Sequence, residues 1–474
     1  MEKLTIALLA GSMPYFSDEG KSIYKKACKD LEKLSIELGF KLKVYEDFIM
    51  SEKKAMEIRK EIDSNSVDFM LLFHPTYISG DIVFELMKAR AYLGLWAARE
   101  PKKDGPLPLA SFVCLNQNTS IARHYFKDKK IKFKWFFGEA SSKYFKPRFE
   151  ITIKALSAIK ALKDSKVAQI GKIAEGFRNM YYDEREIYKI LGIDIVRGIE
   201  IEDVLYKAEK IDENIIQKEV NRICSTCSKI TVSNKKIIDS VKNFLAIKKI
   251  CQENKFIAVA VDCASKLIKL KGMVACLSNS MLNSIGITAG CEGDMLSTIS
   301  SLILKLLSGK VTAVSDMPAF DDEDNSLLLW HCGSAPFEMA NSNGVILRKV
   351  YRSEFAKGTE FENLGPITDV IYLKGDITVF RLTGESDKYY YFTGESFDDK
   401  KKSWYGNRGW INKLRLYNKP INAIDLVNTI LVNGIQHHYP VVLKDVWKYI
   451  EEFAYWLDLK KIKRIDYEDY TYNY

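Results

Sequence analysis

The chain has 474 residues, enough for about three domains at roughly 150 residues each. Its composition, 47% hydrophobic and 28% charged with 26 glycines and 11 prolines, is that of ordinary globular protein and excludes collagen-like, coiled-coil and disordered chains. A net charge of +9 spread over this length is unlike the concentrated basic stripe of a nucleic-acid binder, and no apolar run approaches the roughly 18 residues of a membrane span.

The apolar start, Leu4 to Ala10, has the length of a signal-peptide core, but behind a single lysine it reads as a buried first strand. A helix opened by Ser17, Asp18 and Glu19 and closed by Gly39 follows. Leu42 to Tyr45, a helix after Ser51, Val67 to Phe73 and a helix after Ser79 continue the alternation, and Leu109 to Leu115 reads as a further strand. Strand alternating with helix predicts an open parallel sheet covered on both faces.

Lys129, Lys130, Lys132 and Lys134 interleave with Ile131, Phe133 and Trp135, superficially a groove for single-stranded nucleic acid. Period-two alternation explains them more simply, as a strand with its apolar face inward and its lysines in water.

A second α/β unit begins after Pro147 with a helix through Lys163. Strands at Val167 to Ile170, Ile193 to Val196 and Phe256 to Val261 are separated by helical segments such as Ile237 to Ile250. Beyond residue 310, short apolar runs separated by Gly, Asp and Ser (327–330, 344–348, 370–373, 377–383 and 389–393) have antiparallel β texture, and a helix over Leu443 to Leu457 closes the chain. The expected class is α/β. Two open doubly wound domains, 1–147 and 148–314, precede a β-rich, barrel-like domain, 315–474.

Nine cysteines without framework spacing argue for reduced, mostly buried thiols and a cytoplasmic location. Cys224 and Cys227 form a lone C-x-x-C, read as an unbridged helix pair, and the run Asp321 to Asp324 as a solvated turn. There is no glycine-rich phosphate loop, no H-E-x-x-H and no G-x-S-x-G.

Two features stand out. Glu292, in Gly290-Cys-Glu-Gly-Asp294, precedes an apolar helix, while Asp316 ends a strand at Val311 to Val314, at the edge where α/β sheets place ligands. The adjacent pair His437 and His438 lies beside Gly434, and with His331 and His438 the two carboxylates are expected to make an oxygen-rich metal site.

The ordered motifs C-E-G-D (291–294), S-D-M (315–317), L-W-H-C-G-S-A-P (329–336) and H-H-Y-P (437–440), with M-P-Y-F-S-D-E-G at 13–20, resemble the L-fucose isomerase and L-arabinose isomerase superfamily over essentially the whole chain. The resemblance implies a metal-dependent aldose–ketose isomerase acting on a free sugar such as L-fucose, D-arabinose or a related pentose or deoxyhexose. Glu292 and Asp316 would each be metal ligand and acid/base, and His438 the ligand histidine. Ser334 and His437 would face substrate hydroxyls. His331 would ligate as in the arabinose branch or bind substrate as in the fucose branch. The metal would be Mn²⁺, with Co²⁺ or Mg²⁺ as alternatives.

The family also implies a trimer or hexamer in which the first domain covers a neighbour's site, making Met13 to Ser17, His74, Tyr77 and Trp96 candidates there; each is otherwise surface loop or core. No nucleic-acid or membrane partner is expected. The rival readings are a non-catalytic sugar-binding or regulatory protein, which needs no paired acid and base, and a metal-dependent aldolase or hydrolase.

Overall fold

The apolar run behind Lys3 forms β1 (Thr5–Ala10), and its buried side chains seed the first sheet. The computed structural model describes residues 2–16, 18–126, 131–263, 266–359, 361–384, 386–397 and 401–469. Ser17 and Lys127–Lys130 of the expected elements lie outside these. The chain divides into two units, Met1–Ala161 and Leu162–Tyr474.

In the first unit, β1 is followed by α1 (Glu19–Leu38), β2 (Lys41–Val44), α2 (Glu52–Ser64), β3 (Phe69–His74), α3 (Gly80–Leu86), β4 (Tyr92–Ala97), α4 (Ser111–Tyr125), β5 (Phe133–Phe137) and α5 (Lys146–Leu162). The strands pair in parallel in the order β2-β1-β3-β4-β5, a doubly wound arrangement. Gly39, at φ 75°, ends α1 in the left-handed conformation that favours glycine, and Ser51 caps α2 by accepting from Lys54 N–H at 3.3 Å.

Two expectations fail here. Leu109 to Leu115 is not a strand: α4 starts at Ser111, and β4 takes the expected place in the sheet. The buried face of α4 is Ser111, Cys114, Leu115, Asn118 and Ala122, a helical spacing whose polar members disguise it as a short apolar run. In β5, Trp135 is 42% exposed whereas Phe136 is buried. This strand lies at the sheet edge, where Trp135 packs against the Phe112 ring of α4 and the Arg148 guanidinium.

The second unit opens with β6 (Lys166–Ile170), α6 (Glu184–Leu191), β7 (Asp194–Ile199), α7 (Ile201–Glu209), α8 (Glu213–Thr226), β8 (Lys229–Ile230), α9 (Asn234–Asn254), β9 (Phe256–Val261), α10 (Lys266–Lys271), α11 (Cys276–Ser284), β10 (Thr288–Gly290) and α12 (Met295–Ser308). Strands β10-β9-β6-β7 form a parallel sheet. Then come β11 (Ala313–Asp321), β12 (Ser326–His331), β13 (Ile346–Arg348), β14 (Ile367–Ile371), β15 (Gly375–Thr383), β16 (Lys388–Ser396), β17 (Asn407–Leu416), β18 (Lys419–Pro420), α13 (Ala423–Val432), β19 (Tyr439–Val442), α14 (Trp447–Leu457) and β20 (Lys460–Lys461).

Six of these strands close a ring. β16 pairs with β15, β15 with β19, β19 with β11, β11 with β12, β12 with β17, and β17 again with β16, all antiparallel. Closure leaves these strands no free edge. The expected antiparallel texture is not uniform, because β14 joins β17, β13 joins β8 and β20 joins β16 in parallel.

One hydrophobic cluster runs from Ala168 to Ile462, so the residues expected to form a central and a C-terminal domain share a core. α5, expected beyond a boundary at 147, falls in the first unit save for its last residue. Among the described residues no helix is long and apolar enough to cross a membrane.

Candidate metal and active site

The loop between β10 and α12 is built around two close approaches. A Cβ on Gly290 would lie 1.8 Å from Thr298 Oγ1, and one on Gly293, at φ 71°, would lie 2.3 Å from the Lys172 carbonyl oxygen. Between them Glu292 takes φ 56°, a left-handed backbone that costs a residue with a Cβ about 1–2 kcal/mol. The side chain so placed is nearly buried, and its Oε2 has no hydrogen-bond partner among the described residues.

Asp294, last residue of the same motif, caps α12 by accepting from Ser297 N–H at 2.9 Å. Its other oxygen accepts from His438 Nδ1 at 3.0 Å. The Arg381 guanidinium, also fully buried, donates to both Asp294 oxygens at 3.0 and 3.3 Å and to the His438 carbonyl at 2.8 Å. Burial alone would raise the Asp294 carboxyl, but Arg381 and His438 outweigh it and hold the group well below the usual carboxylate range. With Nδ1–H committed to Asp294, the Nε2 lone pair of His438 is left open, 3.5 Å from Glu292 Oε2.

Asp316 reaches the same histidine by strand register. Ser315 pairs with Tyr439 across β11 and β19, so Asp316 adjoins the row of His438; on the other side Asp316 pairs with Trp330, beside His331. The expectation that Asp316 ends a strand at a parallel-sheet edge is therefore corrected. β11 continues to Asp321 inside an antiparallel sheet, and Asp316 sits where its pairing with β12 slips out of register. Asp316 Oδ1 is a second buried oxygen without a hydrogen-bond partner among the described residues, and burial raises its carboxyl against the lowering pull of His331 and His438.

The predicted residues gather as two overlapping groups whose potential ligand atoms lie within 4.8 Å of one another: Glu292, His437 and His438, and Asp316, His331 and His438. His438 belongs to both. His437 is the most open of the three histidines; its Nε2 is 3.8 Å from Glu292 Oε2, its Nδ1 3.3 Å from Asn179 Nδ2, and its ring 5.3 Å from Phe177. Ser334 is buried in the turn after β12, its N–H held by Asn407 Oδ1 at 3.0 Å.

Two unsatisfied buried carboxylate oxygens near one imidazole fit a divalent cation, since an orphaned charged oxygen is otherwise costly.

Sequence reasoning missed Asp294, Arg381 and the thiols around the site. Arg381 carries no local signal, being 87 residues from its partner, whereas Asp294 could have been found as an N-cap whose second oxygen had no evident use. Cys263 and Cys291 approach to 3.1 Å between sulfurs, and Cys332 lies 3.3 Å from His331 Nδ1. All nine cysteines are free. In the first unit, the strand-end candidates His74 and Trp96 are buried in the core, and Tyr77 stacks on Phe16 at 5.9 Å.

No family model matches the chain. It is similar to the sulfoquinovose isomerase of Priestia aryabhattai, with 23% identity over 419 residues covering 88% of this chain and 90% of that protein. The sulfoquinovose isomerase of Alkalicoccus urumqiensis is 23% identical over 367 residues, covering 76% and 77%. Among solved structures, an ABC transporter solute binding protein from Burkholderia multivorans aligns over 66% of this chain and 95% of that one at 10% identity and a TM-score of 0.18, too low to carry an argument. The curated relatives support reading the chain as an isomerase enzyme with a sugar as substrate.

Proposed function

We propose that the protein is a metal-dependent aldose–ketose isomerase, acting on a free sugar at the cluster of Glu292, Asp316 and His438. The observation that carries this reading is the pair of buried, unpartnered carboxylate oxygens, Glu292 Oε2 and Asp316 Oδ1, brought to one histidine from two different strand systems. A binding protein gains nothing from two such groups, whereas moving a carbonyl between adjacent carbons needs both an acid and a base.

Glu292, Asp316 and His438 would hold the metal, with His331 within reach of the second group and His437 of the first. When bound, the cation supplies Lewis acidity to the carbonyl and hydroxyl oxygens of the sugar. One carboxylate takes the proton from the carbon beside the carbonyl and returns it to the former carbonyl carbon. The other carries the hydroxyl proton between the two oxygens, so no proton is lost overall. Asp294 and Arg381 keep His438 in the tautomer whose Nε2 faces the cluster. Ser334 and His437 are the expected partners of substrate hydroxyls, and the reduced thiols suit a cytoplasmic enzyme.

A conversion panel tests the reading. L-fucose, D-arabinose and sulfoquinovose, the last named by the relatives, are offered to the purified protein with Mn²⁺, Co²⁺ or Mg²⁺ and again after chelation. Ketose formation that disappears with chelator and returns with metal is expected. Carbon–carbon cleavage products would favour an aldolase, and binding without conversion a sugar-binding protein.

A further inference from the structure

The thiols beside the carboxylates take no part in the chemistry proposed above, and two of them touch. Cys263 follows β9 and Cys291 follows β10, parallel neighbours in one sheet, so both sulfurs emerge at the carboxyl ends of adjacent strands. They are 3.1 Å apart, buried and free. A weak S–H donor facing a weak sulfur acceptor adds little to stability, yet it holds the two atoms where a covalent bond between them can form.

What gives this pair a consequence is its neighbour in the chain. Cys291 is bonded to Glu292, and the loop they share is held tightly: Gly293 N–H donates to the Val261 carbonyl at 3.0 Å, Asp294 N–H donates to the Cys291 carbonyl at 3.0 Å, and neither Gly290 nor Gly293 has room for a Cβ. A disulfide has an S–S length of about 2.05 Å, so bond formation must draw the sulfurs together by about 1 Å. In a close-packed loop such a movement is passed to the neighbours. The first of them is Glu292, whose left-handed backbone sets its carboxylate among the potential metal ligands.

We infer that Cys263 and Cys291 are a reversible oxidation site, and that their disulfide displaces Glu292 from the carboxylate–histidine cluster and weakens metal binding there. The oxidant is a hydroperoxide, and burial selects the smallest uncharged one, hydrogen peroxide. One thiol attacks a peroxide oxygen, the O–O bond breaks, and a sulfenic acid and water result; the second thiol attacks the sulfenic sulfur, and its proton leaves with the hydroxyl as a second water. Two electrons thus pass from the two sulfurs to the peroxide, and a dithiol returns them by exchange. A pair that is reduced at rest and closes under peroxide is the transient kind of disulfide that a reducing compartment allows. The oxidation step is independent of the reaction proposed above, whereas its effect on metal binding rests on that reading.

The test exposes the full chain, first reduced, to excess hydrogen peroxide. Peptide mass spectrometry maps the bond, with a second cleavage between Cys276 and Cys291, which one tryptic peptide carries together. A Cys263–Cys291 disulfide is expected, and titration with Mn²⁺ should show a loss of affinity of about tenfold or more, as for a displaced ligand, that dithiothreitol restores. Cys263 belongs to neither ligand group, so Cys263→Ala should bind Mn²⁺ like the reduced wild type and lose none of that affinity to peroxide. Cys263→Ser, closer in size, takes its place if the alanine variant does not fold. No disulfide in the wild type, a bond of Cys332 to Cys276 or Cys291 instead, an equal loss of affinity in the variant, or a Cys263–Cys291 bond with unchanged affinity overturns the inference. A reduced wild type that binds no Mn²⁺ sinks the metal reading and the coupling with it, while the disulfide map still decides the oxidation site.

Discussion

Two buried histidines, one in each unit, contrast an imidazole whose nitrogens are both spent with one proposed to hold a metal. His74 is fully buried at the end of β3 and both of its ring nitrogens are spent: Nδ1 donates to the Trp96 carbonyl at 3.0 Å, and Nε2 accepts from Asn118 Nδ2 at 2.8 Å. His438 is equally buried and likewise spends Nδ1, on Asp294, but its Nε2 faces an unpartnered carboxylate oxygen. Burial and a hydrogen-bonded Nδ1 are common to both. What differs is the second nitrogen, and an expensive open polar pair is kept only where something is to be bound.

The most severe way to break the functional half is to remove one of its open oxygens. Glu292→Gln or Asp316→Asn should lower turnover by about 10³-fold or more, the loss of an acid/base group and a ligand together, while circular dichroism stays that of the wild type. Near-normal rates in both variants would refute the site.

Asp294→Asn is the next largest. Asparagine still caps α12, but an NH₂ group in place of Oδ2 faces His438 Nδ1 and Arg381 with a donor, so the imidazole must turn to its other tautomer and lose the open Nε2 lone pair. Metal affinity should fall about 10–100-fold, as for a lost ligand-orienting group. Because Arg381 is left as a buried unpaired charge, stability should fall by about 3–5 kcal/mol. Fluorescence-monitored metal titration and urea unfolding check the two separately. Metal binding within threefold of wild type would show that Asp294 serves only the fold.

The same contrast explains what could be read from the chain. Strands and helices with plain apolar periodicity, β1, α1, α2, α9 and β9 among them, were legible, and so was the gathering of Glu292, Asp316 and His438 in one place. α4 was not, because Ser111 and Asn118 occupy core positions to serve His74: Ser111 Oγ donates to its carbonyl and Asn118 to its ring. A polar residue in a core position breaks the pattern that sequence reading relies on. Nor was the Asp294–Arg381 pair legible, since it joins the N-cap of α12 to a residue of β15 that lies 87 positions away, a contact set by tertiary packing rather than local spacing. In both regions the polar partners of a buried histidine were what stayed hidden.

The smallest expected effect sharpens the structural half. Desolvation lowers His74 from the ordinary 6.5 to about 4, with the bond to the Trp96 carbonyl only partly offsetting it. In the unfolded chain the group takes up a proton as the pH falls through about 6.5, whereas in the folded chain it stays neutral until about 4. The stability it provides is therefore complete above the unfolded value, declines as the pH falls from about 6.5 towards 4, and levels off below. Between pH 7 and 5 the decline amounts to about 2 kcal/mol. Urea unfolding of the wild type and a His74→Asn variant at the two pH values isolates it, the variant lacking that share of the pH dependence. If the variant does not fold, the ring protons of His74 in the wild type give the same answer by nuclear magnetic resonance. A resonance that titrates near 6.5 would mean that this imidazole, too, has a nitrogen open to water, and the distinction between the two histidines would fail.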